Sequence, residues 1–134
     1  MARRKRRGTT VIQQETDFDC GVAALAMLYN KPYKDVWTAA EGIITRKFGV
    51  DQNGLKAIAF NLGNILKQIY KSNNYLDGKN HQRGILRIIQ NTWYDHWVIW
   101  QCGSVIDPDG GKVWVLGDYL LHYNARTGHL FVED

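Results

Sequence analysis

A cysteine stands where the sequence predicts that a helix begins. In QQETDFDCGVAALAML (residues 13–28), Cys20 follows Asp19, a residue type favoured at helix N-caps, and precedes good helix formers. The N-terminus of a helix carries partial positive charge and unpaired N–H groups, which stabilise a thiolate, the nucleophilic form of cysteine. Gly21 leaves the approach to the sulfur open. Cys20 is therefore a candidate nucleophile, although a lone cysteine beside the acids Asp17 and Asp19 also fits a buried core residue.

A histidine and an aspartate later in the chain have the spacing of a catalytic base and its orienting acid. His96 opens the predicted strand HWVIWQ and Asp107 closes the predicted strand SVID. Because side chains alternate along a strand, any two-residue turn between them puts His96 and Asp107 on the same face of the sheet. A turn at residues 102–103, for example, pairs Gln101 with Ser104. The carboxylate can then fix the tautomer of the imidazole; the alternative is an ordinary strand histidine followed by the turn-forming DPDGG.

A glutamine before the cysteine completes the polar groups that acyl transfer requires. When a thiolate attacks a carbonyl, the oxygen becomes an oxyanion and needs preorganised hydrogen-bond donors. Gln14 stands six residues before Cys20, so its side-chain amide and the backbone N–H of Cys20 can supply two such donors. A lone glutamine is usually a surface residue, and only its distance from a Cys-Gly helix start makes this one informative.

The basic residues are concentrated at the start of the chain. There are 17 Lys and Arg and 13 Asp and Glu, but five of the basic residues form the run Arg3–Arg7, and removing them leaves 12 against 13. The near-neutral body argues against a broad nucleic-acid surface, so nucleic acid could bind only through Arg3–Arg7. The alternatives for this run are a contact with anionic lipid, a localisation signal and a solvated, flexible start. We predict a basic tail at residues 1–10 and one folded domain at residues 11–134.

Composition also limits the compartment and the cofactors. The segment after the basic run is polar, unlike a secretory signal, and no stretch approaches the ~20 apolar residues of a membrane span. A cytoplasmic protein without a membrane span is therefore predicted, with its cysteines as free thiols. The two cysteines and four histidines show neither a Cys-x-x-Cys pair nor ligand-like spacing, so no metal and no other cofactor is predicted.

The order of the predicted elements indicates an α+β fold. Helical patterns come first, at residues 20–30, within 33–43 and at 52–63. Strand patterns rich in β-branched and aromatic residues follow, at 84–90, 96–101, 104–107, 112–116 and 128–133. The segment GDYLLHYN before the last strand fits either a short helix or another strand. Helices followed by strands predict a mainly antiparallel sheet packed on the helices.

Four segments resemble a known family, the bacteriocin-processing double-glycine cysteine peptidases. QETDFDCGVAALAML resembles their opening motif, HWVIW their histidine strand, VIDPDGG their aspartate motif and FGVDQNGLKAIAFNLGN their helix that ends in Leu-Gly. The resemblance covers about residues 11–116, and the combination in this order is specific. It implies a papain-like fold with Cys20 as the nucleophile, His96 as the general base, Asp107 as its orienting carboxylate and Gln14 as the oxyanion donor.

The resemblance also implies a cysteine peptidase, a hydrolase, that cleaves a peptide or protein substrate after Gly-Gly. The bulky residues Trp93, Tyr94 and Trp97 near His96 are expected to wall a narrow substrate groove, although the tryptophans fit a core role as well. The best-known members are N-terminal domains of export transporters; no transporter follows here, so a free-standing intracellular enzyme is expected. The alternatives are a deconjugating isopeptidase, a catalytically silent peptide-binding module of the same fold, and a nucleic-acid-associated protein acting through the basic tail.

Overall fold

Among the described residues, three helices come before the strands in the chain, and a fourth helix comes between the fifth and sixth strands. The computed structural model describes residues 9–71, 75–77, 79, 83–91 and 95–133. Within these ranges the elements are, in chain order, α1 (Cys20–Tyr29), α2 (Tyr33–Ala40), α3 (Gln52–Asn61), β1 (Leu66–Ile69), β2 (Arg83–Ile89), β3 (His96–Gln101), β4 (Ser104–Asp107), β5 (Lys112–Val115), α4 (Leu116–Tyr123) and β6 (Arg126–Glu133). The α+β class is confirmed.

Helix α1 is buried along almost its whole length. Each residue from Cys20 to Leu28 is buried, as expected for a helix that is apolar on all faces. It packs against α2 on one side and against β3 and β2 on the other. The helix ends at Asn30, which adopts the left-handed conformation with φ 53°, a conformation common at helix C-termini. Because α1 is enclosed in this way, its N-terminus has a fixed position against the start of β3.

The six strands form one antiparallel sheet in the order β1-β6-β2-β3-β4-β5 within the described residues. Strands β3 and β4 are joined by a two-residue turn, and Gln101 pairs with Ser104, so the predicted register is confirmed. The turn residues Cys102 and Gly103 both have positive φ, 50° and 92°, which is the geometry that tight hairpins with right-handed twist require.

Side chains alternate between two hydrophobic clusters on the two faces of the sheet. Trp97 and Ile99 of β3 belong to the cluster that contains α1, α2 and α3. Val98 and Trp100 belong to the cluster on the opposite face, which α4 covers through Tyr119. By this alternation His96, the first residue of β3, lies on the α4 face. Because α1 packs on the other face of the sheet, its N-terminus can contact residues of the α4 face at the point where β3 begins.

One described element was not predicted from the sequence, and another resolves an alternative that the sequence left open. Strand β1 was not predicted, because Leu66–Ile69 is a four-residue edge strand whose polar Lys67 and Gln68 weaken the strand pattern. Segment 117–124, which fitted either helix or strand, lies almost wholly in the helix α4, with Tyr119 as its buried residue.

The described residues begin at Thr9, whose hydroxyl donates to Oε1 of Gln101 at 2.6 Å. The basic run at residues 3–7 lies outside the described residues, and the domain boundary stays a prediction.

The helices of the described ranges are all too short or too polar to cross a lipid bilayer.

Candidate active site

His96 and Asp107 meet across the β3–β4 hairpin. Nε2 of His96 lies 2.9 Å from Oδ1 of Asp107, and both side chains are largely buried. A carboxylate can only accept, so Nε2 carries the proton of this hydrogen bond and Nδ1 is left to face the opposite direction. The two-residue turn predicted from the sequence thus brings the two side chains together on one face.

The electrostatics of this pair hold both groups in their charged forms. Burial lowers the pKa of His96, but hydrogen bonds to Asp107 and Cys20 and the charges of these two groups outweigh it and raise the pKa to about 10. Burial raises the pKa of Asp107, and its hydrogen bonds and the charge of His96 more than offset this, so that the pKa is lowered. An imidazolium that contacts a carboxylate on one side and the sulfur of a cysteine on the other can give up its proton in acid–base catalysis.

Cys20 is the first residue of α1, at the position predicted. The side chain is only 5% exposed, and its sulfur lies 3.9 Å from the carbonyl oxygen of Asp95. Asp95 directly precedes β3, and its carboxylate is paired with Nε of Arg87 at 2.6 Å. His96 lies beside the sulfur, and its interaction with Cys20 is one of the causes that raise the pKa of the imidazole. The thiol of Cys20 at the start of α1 thus lies beside the imidazole of His96 at the start of β3.

Gln14 lies on the segment that leads into α1, and that segment is tied to the hairpin. Its backbone N–H donates to the carbonyl oxygen of Pro108 at 2.9 Å, directly after Asp107. Its side-chain Nε2 donates to the carbonyl oxygen of Thr16 at 2.7 Å. The amide group has two N–H bonds, so one remains for another acceptor. This backbone hydrogen bond therefore holds Gln14, the oxyanion candidate, next to Asp107, the acid of the hairpin.

Asp19 occupies the N-cap position of α1, but its side chain does not cap the helix. Instead the buried carboxylate accepts the backbone N–H groups of Glu15 and Thr16, both at 2.9 Å, and the hydroxyls of Thr16 and Tyr33. Burial raises the pKa of Asp19, and these hydrogen bonds outweigh it, so that the pKa is lowered. The sequence prediction of a capping role is wrong, because the carboxylate folds back to hold the loop that carries Gln14.

Gly21 was expected to leave the approach to the sulfur open, but its missing side chain serves packing. A Cβ there would lie 3.3 Å from Cδ1 of Trp97 and 3.5 Å from side-chain atoms of Leu55 and Val50. The glycine therefore lets α1 approach the sheet closely beside the nucleophile candidate.

A cleft of about 320 Å³ lies between the segment before α1, the sheet and α4; it is lined by Gln14, Thr16, Asp17, Gln90, His96, Asp107, Asp109 and Tyr123. Of the three expected groove residues, Trp93 and Tyr94 lie outside the described residues. Trp97 is 0% exposed and donates its indole N–H to the carbonyl oxygen of Val50 at 2.8 Å. Its expected place in the groove wall is therefore wrong: strand alternation points it into the core beneath α1.

Sequence reasoning missed Tyr119, which contacts the site from behind. Its hydroxyl donates to Oδ2 of Asp107 at 2.6 Å. The only available signal was the segment GDYLLHYN, whose helical period places Tyr119 on an apolar face but does not say which strand it meets. Among the described residues, no cluster of three or more His, Cys, Asp or Glu side chains could hold a metal ion.

Comparisons with known proteins identify the family of the chain and solved structures that share its fold. The Peptidase C39 family model matches residues 9–115. The fold is similar to the peptidase domain of Streptococcus ComA, a bi-functional ABC transporter involved in quorum sensing, at 18% identity and TM-score 0.71 over 94% of this chain and 98% of that one. It is also similar to a double glycine motif protease from an AMS/PCAT transporter, solved with the leader peptide, at 21% identity and TM-score 0.63 over 97% and 94%. The comparison with curated proteins finds no match.

Proposed function

Because the chain belongs to the Peptidase C39 family, we propose that its reaction is carried out by Cys20, His96 and Asp107, with Gln14 stabilising the oxyanion. The protein is a cysteine peptidase, and its fold is the papain-like one. The observation that carries the assignment is the contact of His96 with Asp107 on one side and with Cys20 on the other. The base therefore contacts the nucleophile on one side and the orienting acid on the other, as nucleophilic catalysis requires.

Acylation follows from these positions. The thiolate of Cys20 attacks the carbonyl carbon of the scissile peptide bond, and the carbonyl oxygen becomes an oxyanion. The free N–H of the Gln14 amide and the backbone N–H of Cys20 donate to that oxygen. When the tetrahedral intermediate collapses, the C–N bond breaks and His96 gives its Nδ1 proton to the leaving amine. A thioester on Cys20 and a neutral imidazole remain.

Deacylation uses the same groups in the reverse sense. Neutral His96 takes a proton from a water molecule at Nδ1, and the resulting hydroxide attacks the thioester carbonyl. The C–S bond breaks, the carboxylic acid product leaves and the thiolate–imidazolium pair is restored. Throughout both steps Asp107 keeps the proton on Nε2, so the imidazole always presents Nδ1 to the reacting atoms.

We propose that the substrate is an extended peptide with Gly-Gly before the scissile bond. Support comes from the printed description of the similar transporter protease as acting on a double glycine motif, and from the limited space beside Cys20, whose side chain is 5% exposed. A β-carbon at either position before the cut would push the carbonyl away from the donors. A displacement of about 1 Å can lower the rate on the order of 100-fold.

A peptide panel tests the proposal directly. Three peptides with Gly-Gly, Ala-Ala or Leu-Arg before the same scissile bond are incubated with wild-type protein and with Cys20→Ala, and product ends are identified by mass spectrometry. We expect kcat/KM to be at least about 100-fold higher for Gly-Gly, with no product from the variant. Equal kcat/KM for the three peptides would remove the Gly-Gly specificity and leave the cysteine mechanism standing. Binding without cleavage of any peptide would identify a silent binding module. An isopeptide-linked Gly-Gly substrate is assayed alongside the panel, and its cleavage alone would identify a deconjugating enzyme.

The pH dependence of activity tests the role of Asp107. His96 must be protonated to give a proton to the leaving amine, so activity falls as pH rises through the pKa of His96, about 10 in the wild type. Asp107→Ala removes a hydrogen bond and a negative charge that raise this pKa. We therefore expect the alkaline limb of kcat/KM to move to lower pH in Asp107→Ala.

The control for that experiment is Asp118→Ala, which removes the exposed carboxylate of Asp118 on α4 and leaves the site intact. Its profile should match that of the wild type. If the alkaline limb of Asp107→Ala coincides with that of Asp118→Ala, then Asp107 does not set the protonation of His96.

A further inference from the structure

The carboxylate of Asp107 is held on both of its oxygens. Oδ1 accepts hydrogen bonds from Nε2 of His96 and from the backbone N–H of Asp109, each at 2.9 Å. Oδ2 accepts a hydrogen bond from the hydroxyl of Tyr119 at 2.6 Å. With donors on both oxygens, rotation of the carboxylate about its Cβ–Cγ bond costs charge-assisted hydrogen bonds. Tyr119 thus fixes the oxygen that His96 does not contact.

Tyr119 lies behind the site, away from the space that a substrate can occupy. Its side chain is 0% exposed and packs in the cluster that includes Val98, Trp100 and Val105. Its ring meets that of Trp114 edge-on, with centroids 5.7 Å apart. Helix α4 begins at Leu116, directly after the residues that match the family model. Tyr119 therefore reaches the site from a segment outside the family match.

A tyrosine hydroxyl suits this position because it donates a hydrogen bond without adding charge. A lysine or arginine there would repel the imidazolium of His96, whereas a neutral donor stabilises the carboxylate and leaves its attraction for His96 intact. Burial and the hydrogen bond to Asp107 raise the pKa of Tyr119 far above its usual value. The hydroxyl consequently stays protonated, and stays a donor, wherever the enzyme is folded and active.

We propose that Tyr119 is a positioning residue for catalysis: it holds Asp107 in the orientation that engages Nε2 of His96 and directs Nδ1 toward Cys20. This inference rests on the proposed function, since Tyr119 acts only through Asp107 and His96. A side chain with no exposed surface cannot touch a peptide in the cleft. Its removal should therefore lower kcat and leave KM unchanged.

The first test is Tyr119→Phe, which removes the hydroxyl and keeps the ring. We expect kcat on the best peptide to fall about 10-fold to 100-fold, the rate equivalent of one charge-assisted hydrogen bond, with KM within about twofold of wild type. Tyr75→Phe is the matched control: Tyr75 belongs to the same cluster, and its hydroxyl bonds Thr127 and Gly128 at 2.5 and 3.0 Å. This control should lose stability without losing kcat.

Alkylation of Cys20 by iodoacetamide, together with circular dichroism, separates positioning from unfolding without any substrate. Circular dichroism identifies an unfolded variant, in which Cys20 would be exposed but would also have lost the ion pair that activates its sulfur. A folded variant with a misdirected imidazole has a weaker ion pair and reacts more slowly. We expect Tyr119→Phe to react about 3-fold to 10-fold more slowly than wild type, a fraction of the loss in kcat because leaving-group protonation is not involved.

A double-mutant comparison shows whether Tyr119 acts through Asp107. In an Asp107→Ala background, adding Tyr119→Phe should change kcat by less than about twofold, because the acceptor of its hydrogen bond is already gone. A full additional loss there would overturn the inference, as would wild-type alkylation rates or a faster reaction in Tyr119→Phe. Failure of the wild-type protein to cleave any peptide would instead refute the proposed function.

Discussion

We expect Cys20→Ala and His96→Ala each to reduce peptide cleavage to background, a loss of roughly 10⁵–10⁶-fold in kcat, because each removes the nucleophile or the base of the proposed catalytic triad. Without Cys20 no thioester forms. Without His96 the thiolate loses its counter-ion, and the leaving amine loses its proton donor. The measurement is initial-rate cleavage of the preferred peptide, with circular dichroism to verify that both variants are folded.

Cys102→Ala is the matched control for the cysteine substitution. Cys102 is exposed in the β3–β4 turn, and alanine keeps the same Cβ at its positive φ, so the turn should be unaffected. We expect wild-type kcat from this variant. Thiol-probe labelling followed by peptide mapping should also find Cys20 modified faster than Cys102, despite its burial. Residual cleavage by Cys20→Ala above about 1% of wild type would show that another group is the nucleophile.

For Gln14→Ala we expect the second large effect, a fall in kcat of roughly 10²–10³-fold with a smaller change in KM. This is the usual consequence of losing one oxyanion donor, whose hydrogen bond is strongest in the transition state. The loop itself should remain in place, because Asp19 holds the backbone of Glu15 and Thr16 independently of the Gln14 side chain.

Two further substitutions identify the amide N–H as the cause. Gln14→Glu keeps the size of the side chain and replaces the donor with an anion, so kcat should fall at least as far as in Gln14→Ala. Gln13→Ala changes the preceding, exposed glutamine and should leave kcat within about twofold of wild type. An active Gln14→Glu enzyme would contradict an oxyanion role for this side chain.

The parts of the site that follow a local rule could be predicted from the sequence. The start of α1 at Cys20 follows from helix propensities, and the meeting of His96 with Asp107 follows from strand alternation across a two-residue turn. Both rules involve residues close in sequence, where few arrangements are possible. The same rules also give the α+β class and five of the six described strands within two residues at each end.

The parts that depend on tertiary packing could not be predicted. The hydroxyl of Tyr119 reaches Asp107 only because α4 covers the second face of the sheet, and no local pattern specifies that docking. Asp19 has the sequence position of an N-cap. Its carboxylate instead accepts hydrogen bonds from the hydroxyl of Tyr33 and from the backbone N–H groups of residues 15 and 16, so it does not bond to the N–H groups of the first turn of α1. Trp97 was expected in the groove wall because it follows His96 in the chain. Side chains alternate along a strand, however, so Trp97 points to the face opposite that of His96.

The position of β6 in the sheet sets the order in which this domain can assemble during its synthesis. β6 is synthesised after the other five described strands, yet it lies between β1 and β2 and pairs with both. A nascent chain that stops before Arg126 can form the β3–β4 hairpin, but it cannot join β1 to the rest of the sheet. Such long-range pairing closes late and slowly in folding. The sheet of this domain is therefore completed only after the chain has been synthesised through β6.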